Sequence, residues 1–136
     1  MDSEIWGPHY WFFLHSVAFN YPRNPTAIER KIHYRLIHHF SEFIPDIDSS
    51  NRFRKLLELY PVTPYLDTKD DLIVWMHNIH NRMNEILDKP IMSLEEHKFK
   101  FLNPTPTKDH IQATRNKWFL VMMIILVILI IIMCSN

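Results

Sequence analysis

Apolar residues recur along this chain at three- and four-residue spacing with polar residues between them, the stripe of an α-helix. The clearest case is residues 70–90, DDLIVWMHNIHNRMNEILDKP, where Leu72, Trp75, Ile79, Met83 and Ile86 share one face. Thr68 is placed to cap this helix, with Asp71 three residues on, and the helix dipole favours Asp70 and Asp71 at that end. Pro90 stops it. His80 and Asn84 are four residues apart and stack on one face, and Asn81 joins Asn84 at three-residue spacing. Three hydrogen-bonding side chains beside an apolar stripe require partners, which a bound polar ligand or water would supply.

The same reading places further helices on both sides. Residues 8–20, PHYWFFLHSVAFN, are almost wholly apolar or aromatic and predict a buried helix with Pro8 in its first turn. Tyr21-Pro22 and Asn24-Pro25 make the turn after it. Residues 26–44 predict an amphipathic helix burying Ile28, Ile32, Leu36, Phe40 and Phe43, with Glu29, Arg30, Lys31 and Arg35 on its solvated back, broken by Pro45. Residues 51–60 predict a third, burying Phe53, Leu56, Leu57 and Tyr60. Asp46, Asp48 and Ser50 imitate the start of a calcium loop, but Asn51 stands at the glycine place and Leu57 at the glutamate place, so helix capping is the better reading. Ser93 and Glu96 form a capping box for a short fifth helix to about Phe101. The expected fold class is all-α: a four-helix bundle with a short fifth helix.

Residues 102–110, LNPTPTKDH, read as an extended linker. Trp118 to Cys134 is then a run of 17 apolar residues without a charge. At helical rise this is about 25 Å, enough for the hydrocarbon core of a bilayer. Arg115 and Lys117 precede the run beside interfacial Trp118. The expectation is a C-terminal transmembrane anchor with the N-terminal domain facing the cytosol. The expected division is a helical domain over 1–101, a linker over 102–114 and the anchor over 115–136. Residues 1–7 show no basic stretch leading into an apolar run, so no signal peptide is expected.

Composition narrows the chemistry. Fifteen Lys and Arg against 15 Asp and Glu give a formal net charge of zero, which argues against a nucleic-acid partner. One Gly against nine Pro disfavours phosphate-cradling loops and dinucleotide fingerprints. The one cysteine, Cys134, excludes a disulfide or CxxC pair within this sequence. His77 and His80 are close enough on a helix to share a metal, but no third ligand stands beside them, so no metal site is expected.

Two stretches carry a resemblance. WGPHYWFFLHSVAFNYP resembles the W-G-x-x-x-W-x-x-L-H-x-x-A-x-x-Y-P opening of the Erv/ALR family of FAD-linked sulfhydryl oxidases, and HNRMNEILDKP resembles that family's H-N-x-V-N-x-x-L-x-K-P element, in the same order and at a similar distance. The likeness covers about residues 6–90. It implies an FAD inside the helical bundle and a homodimer. On matching positions, Gly7, Trp11, His15 and Tyr21 would line the flavin, and His80, Asn81, Asn84 and Lys89 would hold its adenine, ribose and phosphate part. Met83 stands where the family has Val. Short members occur in large cytoplasmic DNA viruses, so the resemblance implies a viral source and a membrane of the virion or host endoplasmic reticulum.

The main departure follows Pro45. The family carries C-x-x-C there, and here Asp46 and Ser49 occupy the two cysteine places. Neither side chain can cycle between dithiol and disulfide. The expected function is therefore a membrane-anchored relative without thiol oxidase activity of its own, acting as a structural or interaction protein. The alternative is an FAD-linked thiol oxidase that works with cysteines of a partner protein, and a third reading is a helical adaptor without flavin.

Overall fold

All regular structure among the described residues is helical, as the spacing predicts. The structure is a computed structural model that describes residues 3–103 and 115–125. It divides into two units, Met1–Leu102 and Asn103–Asn136.

In the first unit, α1 spans Ser3–Phe19 and so begins five residues before the expected start at Pro8. Pro8 lies inside the helix, where its missing N–H and its ring weaken one turn without ending it. The second helix, α2, spans Ala27–His39 behind a complete capping box: the Glu29 amide donates to Thr26 Oγ1 and the Thr26 amide donates to the Glu29 carboxylate. The chain then tightens into a 3₁₀ turn over Phe40–Phe43, so the single helix expected over 26–44 is divided. Tightening from 3.6 to 3.0 residues per turn moves Phe43 off the stripe, and along α2 itself the inward face runs through Ile37 rather than through Ile28 and Ile32. Ile37 and Phe40 are buried, whereas Ile28, Ile32 and Phe43 are 72%, 57% and 67% exposed.

Helix α3 spans Ile47–Leu59, four residues longer at its start than expected, because Asp46 caps it. It buries Phe53, Leu56 and Leu57 but leaves Tyr60, just past its end, partly exposed. After a 3₁₀ turn at Thr63–Tyr65 comes α4, Lys69–Ile86, capped by Thr68 as the sequence predicts. Leu72, Trp75, Ile79 and Met83 are buried and Ile86 is 45% exposed. The helix stops ahead of Pro90. Asp88 takes a left-handed φ of 55°, the Asp88 amide donates to the Glu85 carbonyl, and the Lys89 amide donates to the Asn84 carbonyl. That pair of bonds is a Schellman cap, with Asp in the place glycine usually takes. The fifth helix, α5, spans Leu94–Leu102 behind the expected Ser93–Glu96 capping box.

The core is assembled from Leu14 and Ala18 of α1, Ile37 of α2, Phe53 and Leu56 of α3, and Leu72, Trp75, Met76 and Ile79 of α4. Helix α4 is the central element: α1, α3 and α5 all pack against it. Trp75 is 2% exposed, and its indole N–H donates to the Tyr60 carbonyl, so the polar edge of a buried ring is satisfied.

In the second unit, residues 115–125 are helical and their side chains are exposed. Among the described residues no helix is long and apolar enough to cross a membrane. The expected span from Trp118 to Cys134 runs past 125, and most of the expected linker falls in 104–114. Both of those segments lie outside the described residues.

Candidate functional site

Where α1, α4 and α5 meet, four imidazoles gather. His15 comes from α1, His77 and His80 from α4, and His97 from α5. The periodicity that buries Leu14 and Ala18 turns His15 inward beside them, leaving it 7% exposed, and His97 is 6% exposed. His15 Nε2 and His80 Nδ1 are 2.9 Å apart and share one hydrogen. His77 and His97 are joined through their Nδ1 atoms, with ring centroids 4.7 Å apart. The His80 and His97 rings stack at 4.7 Å, and Trp11 lies flat on the other side of His80, at 4.0 Å and 7°. His97 Nε2 is buried with no hydrogen-bond partner among the described residues.

Burial keeps these imidazoles neutral. Removal from water pushes His15 and His97 down to about 4, and each also feels neighbouring imidazoles. His80 is lowered further for the same reasons, and His77 is lowered by burial against the opposing charge of Glu95.

The two amides singled out by the sequence do something else. Asn81 donates to the Met92 carbonyl at 2.7 Å and accepts from the Met92 amide at 3.2 Å. Asn84, 6% exposed, donates to the Pro90 carbonyl at 3.2 Å. Backbone of the α4–α5 connection thus satisfies much of their hydrogen-bonding capacity, and the amides fix where α5 and His97 sit. Lys89 pairs with Glu4, tying the same connection to the start of α1. Tyr21 is buried in the core, where its hydroxyl donates to the Leu66 carbonyl at 2.8 Å. Apart from its chain neighbours and its own helical turn, nothing among the described residues comes within 4 Å of where a Cβ on Gly7 would lie. The structure therefore brings Trp11, His15 and His80 together and uses Tyr21, Asn81, Asn84 and Lys89 in bonds that frame the fold around them.

His97 was not visible as a site residue in the sequence. It stands 17 positions from His80, beyond a proline-containing connection, and only the Ser93–Glu96 capping box marks its helix at all.

Asp46 and Ser49 form a closed corner. Asp46 Oδ2 accepts from the Ser49 amide at 2.8 Å, capping α3. Bonds from Ser49 hold the Asp46 carboxyl below its usual range, so it is ionised. Nearby, Ser50 Oγ donates to the Ser41 carbonyl at 2.6 Å in the interior.

Against known proteins, residues 8–102 match the Erv1 / Alr family. The chain belongs to that family. It is 32% identical over 94 residues to the mitochondrial FAD-linked sulfhydryl oxidase erv1 of Schizosaccharomyces pombe, covering 69% of this chain and 52% of that protein. It is 30% identical over 97 residues to the probable FAD-linked sulfhydryl oxidase R368 of Acanthamoeba polyphaga mimivirus, covering 71% and 68%. The chain thus spans about half the length of the fission-yeast relative and two thirds of the viral one. The FAD binding domain of Erv1 from Saccharomyces cerevisiae superposes with a TM-score of 0.68 at 29% identity, covering 74% of this chain and 94% of that one.

Proposed function

We propose that this protein is a membrane-anchored, flavin-site scaffold of the Erv1 / Alr family that lacks thiol oxidase activity of its own and serves as a structural or interaction protein. The observation that carries the reading is the Asp46–Ser49 corner. Where the resemblance places two cysteines, a carboxylate and a backbone amide make a helix cap, and the remaining cysteine is Cys134. An ionised Asp46 would also oppose negative charge on a reduced ring beside it.

FAD is the cofactor named for the relatives, and the residues of the α1/α4/α5 junction fit a flat heteroaromatic group. Trp11, His15 and His80 supply aromatic surface there, and His97 Nε2 is a buried polar atom without a partner among the described residues. Trp11, His15, His80 and His97 would form the wall that holds it, and the open position at Gly7 would admit a close approach. When bound, FAD supplies two-electron redox capacity. The chain itself contributes packing, orientation and exclusion of water, with no thiol to deliver electrons.

The anchor reading rests on the apolar run from Trp118 to Cys134 and on the exposed apolar side chains of the described part, Trp118 to Ile125. A homodimer is supported by Ile28, Ile32 and Phe43, large apolar side chains left exposed on α2 and the turn after it. A bilayer of the virion or of host endoplasmic reticulum is the membrane this reading expects.

The test is a spectrum and an assay on the full chain, purified in mild detergent with FAD. The expected result is a protein-bound flavin band with no oxygen-dependent oxidation of dithiothreitol. Dithiothreitol oxidation that disappears when flavin is removed would overturn the reading. The retained aromatic wall favours one rival, a thiol oxidase that borrows a partner's cysteines. A chain that stays colourless after incubation with FAD would end that rival.

A further inference from the structure

We infer that the groove between α2 and α3 is a second binding site, for a small zwitterion with an apolar side chain, of the class of free leucine or phenylalanine. The groove encloses about 410 Å³, within the range of clefts that hold small molecules. It is separate from the α1/α4/α5 junction: none of Trp11, His15, His80 or His97 lines it. Its floor is apolar, made by Ile37 of α2, Leu57 of α3 and Val62 just before the second 3₁₀ turn, all of them buried. Tyr34 and His38 also line it, and they stack with ring centroids 5.4 Å apart and planes 10° apart. Together these side chains offer aliphatic and aromatic surface to an apolar group.

The rim carries a cation and an anion that the fold leaves unmatched. Arg54 and Glu58 stand four residues apart on α3, so they share one face of the helix. A cation placed ahead of the anion is the weaker order for such a pair, and no ion pair joins the two. Arg54 Nη1 donates to Asn51 Oδ1 at 3.2 Å, a neutral acceptor that leaves most of the five guanidinium N–H groups unused. The other rim carboxylate, Glu42, is taken by His39 at 2.9 Å. That bond first, and the field of Arg54 after it, hold the Glu42 carboxyl below its usual range.

A carboxylate and an ammonium carried on one carbon complement this arrangement. The carboxylate accepts from the guanidinium fork of Arg54, the ammonium donates to Glu58, and the side chain lies on Ile37, Leu57 and Val62. A simple anion would meet Arg54 but stand against Glu58 and Glu42, and a simple cation would meet Glu58 but stand against Arg54. Like-charge contact therefore selects against both. Binding makes and breaks no covalent bond.

Equilibrium dialysis of the full chain in mild detergent, with detergent alone subtracted, tests this with three probes: L-phenylalanine, N-acetyl-L-phenylalanine, which lacks the ammonium, and phenethylamine, which lacks the carboxylate. The expected result is saturable binding of one L-phenylalanine per chain, with both analogues weaker by about tenfold or more. Arg54→Gln and Glu58→Gln should each weaken L-phenylalanine by about tenfold. Arg54→Gln should also narrow the gap to phenethylamine, and Glu58→Gln the gap to N-acetyl-L-phenylalanine, which a loss of general stability would not do. Both side chains are exposed, so these changes leave the core intact. Arg35→Gln, at an exposed position of α2 outside the groove, should change nothing. Absence of saturable L-phenylalanine binding, equal binding of all three probes, or binding indifferent to Arg54→Gln and Glu58→Gln would overturn the inference.

Discussion

The Asp46–Ser49 corner and the imidazole cluster differ in one physical respect. At the corner the polar groups are matched: Asp46 caps the Ser49 amide, and Ser50 Oγ meets the Ser41 carbonyl. In the cluster one nitrogen is orphaned, and four imidazoles crowd together where each disfavours protonation of the next. Satisfied groups stabilise a fold and ask for nothing further. Unsatisfied buried groups cost stability and persist where something else compensates. The contrast separates a position whose polar groups are met within the fold from one that leaves a buried polar atom unmet among the described residues.

The largest effect expected is at the corner. The double change Asp46→Cys and Ser49→Cys should give the FAD-loaded chain an oxygen-dependent oxidation of dithiothreitol that the unmodified chain lacks, measured as peroxide release. A double variant that folds, binds flavin and stays inactive would break the comparison, because the corner would then not adjoin the cleft.

Next in size is the acid response of the cluster in flavin-free protein. His15 and His97 titrate near 4 when folded and near the ordinary value of about 6.5 when unfolded. Between those values the unfolded chain binds more protons, so stability rises with pH. It is lost as pH falls from about 6.5 towards 4, by about 1.4 kcal/mol per pH unit for each imidazole that stays neutral. Urea unfolding at pH 7.0 and pH 5.0 measures the slope, and a flat profile would mean the imidazoles are not held out of water.

The smallest pair of effects sharpens the contrast directly. Ser50→Ala should cost about 1–3 kcal/mol by leaving the Ser41 carbonyl unpaired in the interior. His97→Leu in the ligand-free protein should cost about 1 kcal/mol or less, since removal of the unpaired buried Nε2 and filling of the same space offset the loss of the Nδ1 bond to His77. Equal losses in thermal or urea unfolding would mean that both regions are structural.

Much of the fold was legible along the chain. The stripe through Leu72, Trp75, Ile79 and Met83, the caps at Asp46, Thr68 and Ser93, and the punctuation by proline are local properties, set by side chains within four residues of one another. The pairing of α1 with α4 was legible only through the family motifs. Misplaced boundaries had local causes: a proline tolerated inside α1, a 3₁₀ turn that ends α2 early, and Asp88 in a left-handed conformation ahead of Pro90.

The sequence by itself determined an all-helical domain, a segment apolar enough for a bilayer, and the absence of a CxxC pair, because helix periodicity, hydropathy and cysteine content require no tertiary contacts. Only the tertiary structure decided what the polar residues of α4 do. Asn81 and Asn84 turn to the backbone at Met92 and Pro90, and in doing so they set His97 beside His15 and His80. Residues 15, 80 and 97 share no periodicity. Their meeting is fixed by how three helices pack and by the need of each buried polar atom for a partner, and no spacing along the chain encodes that.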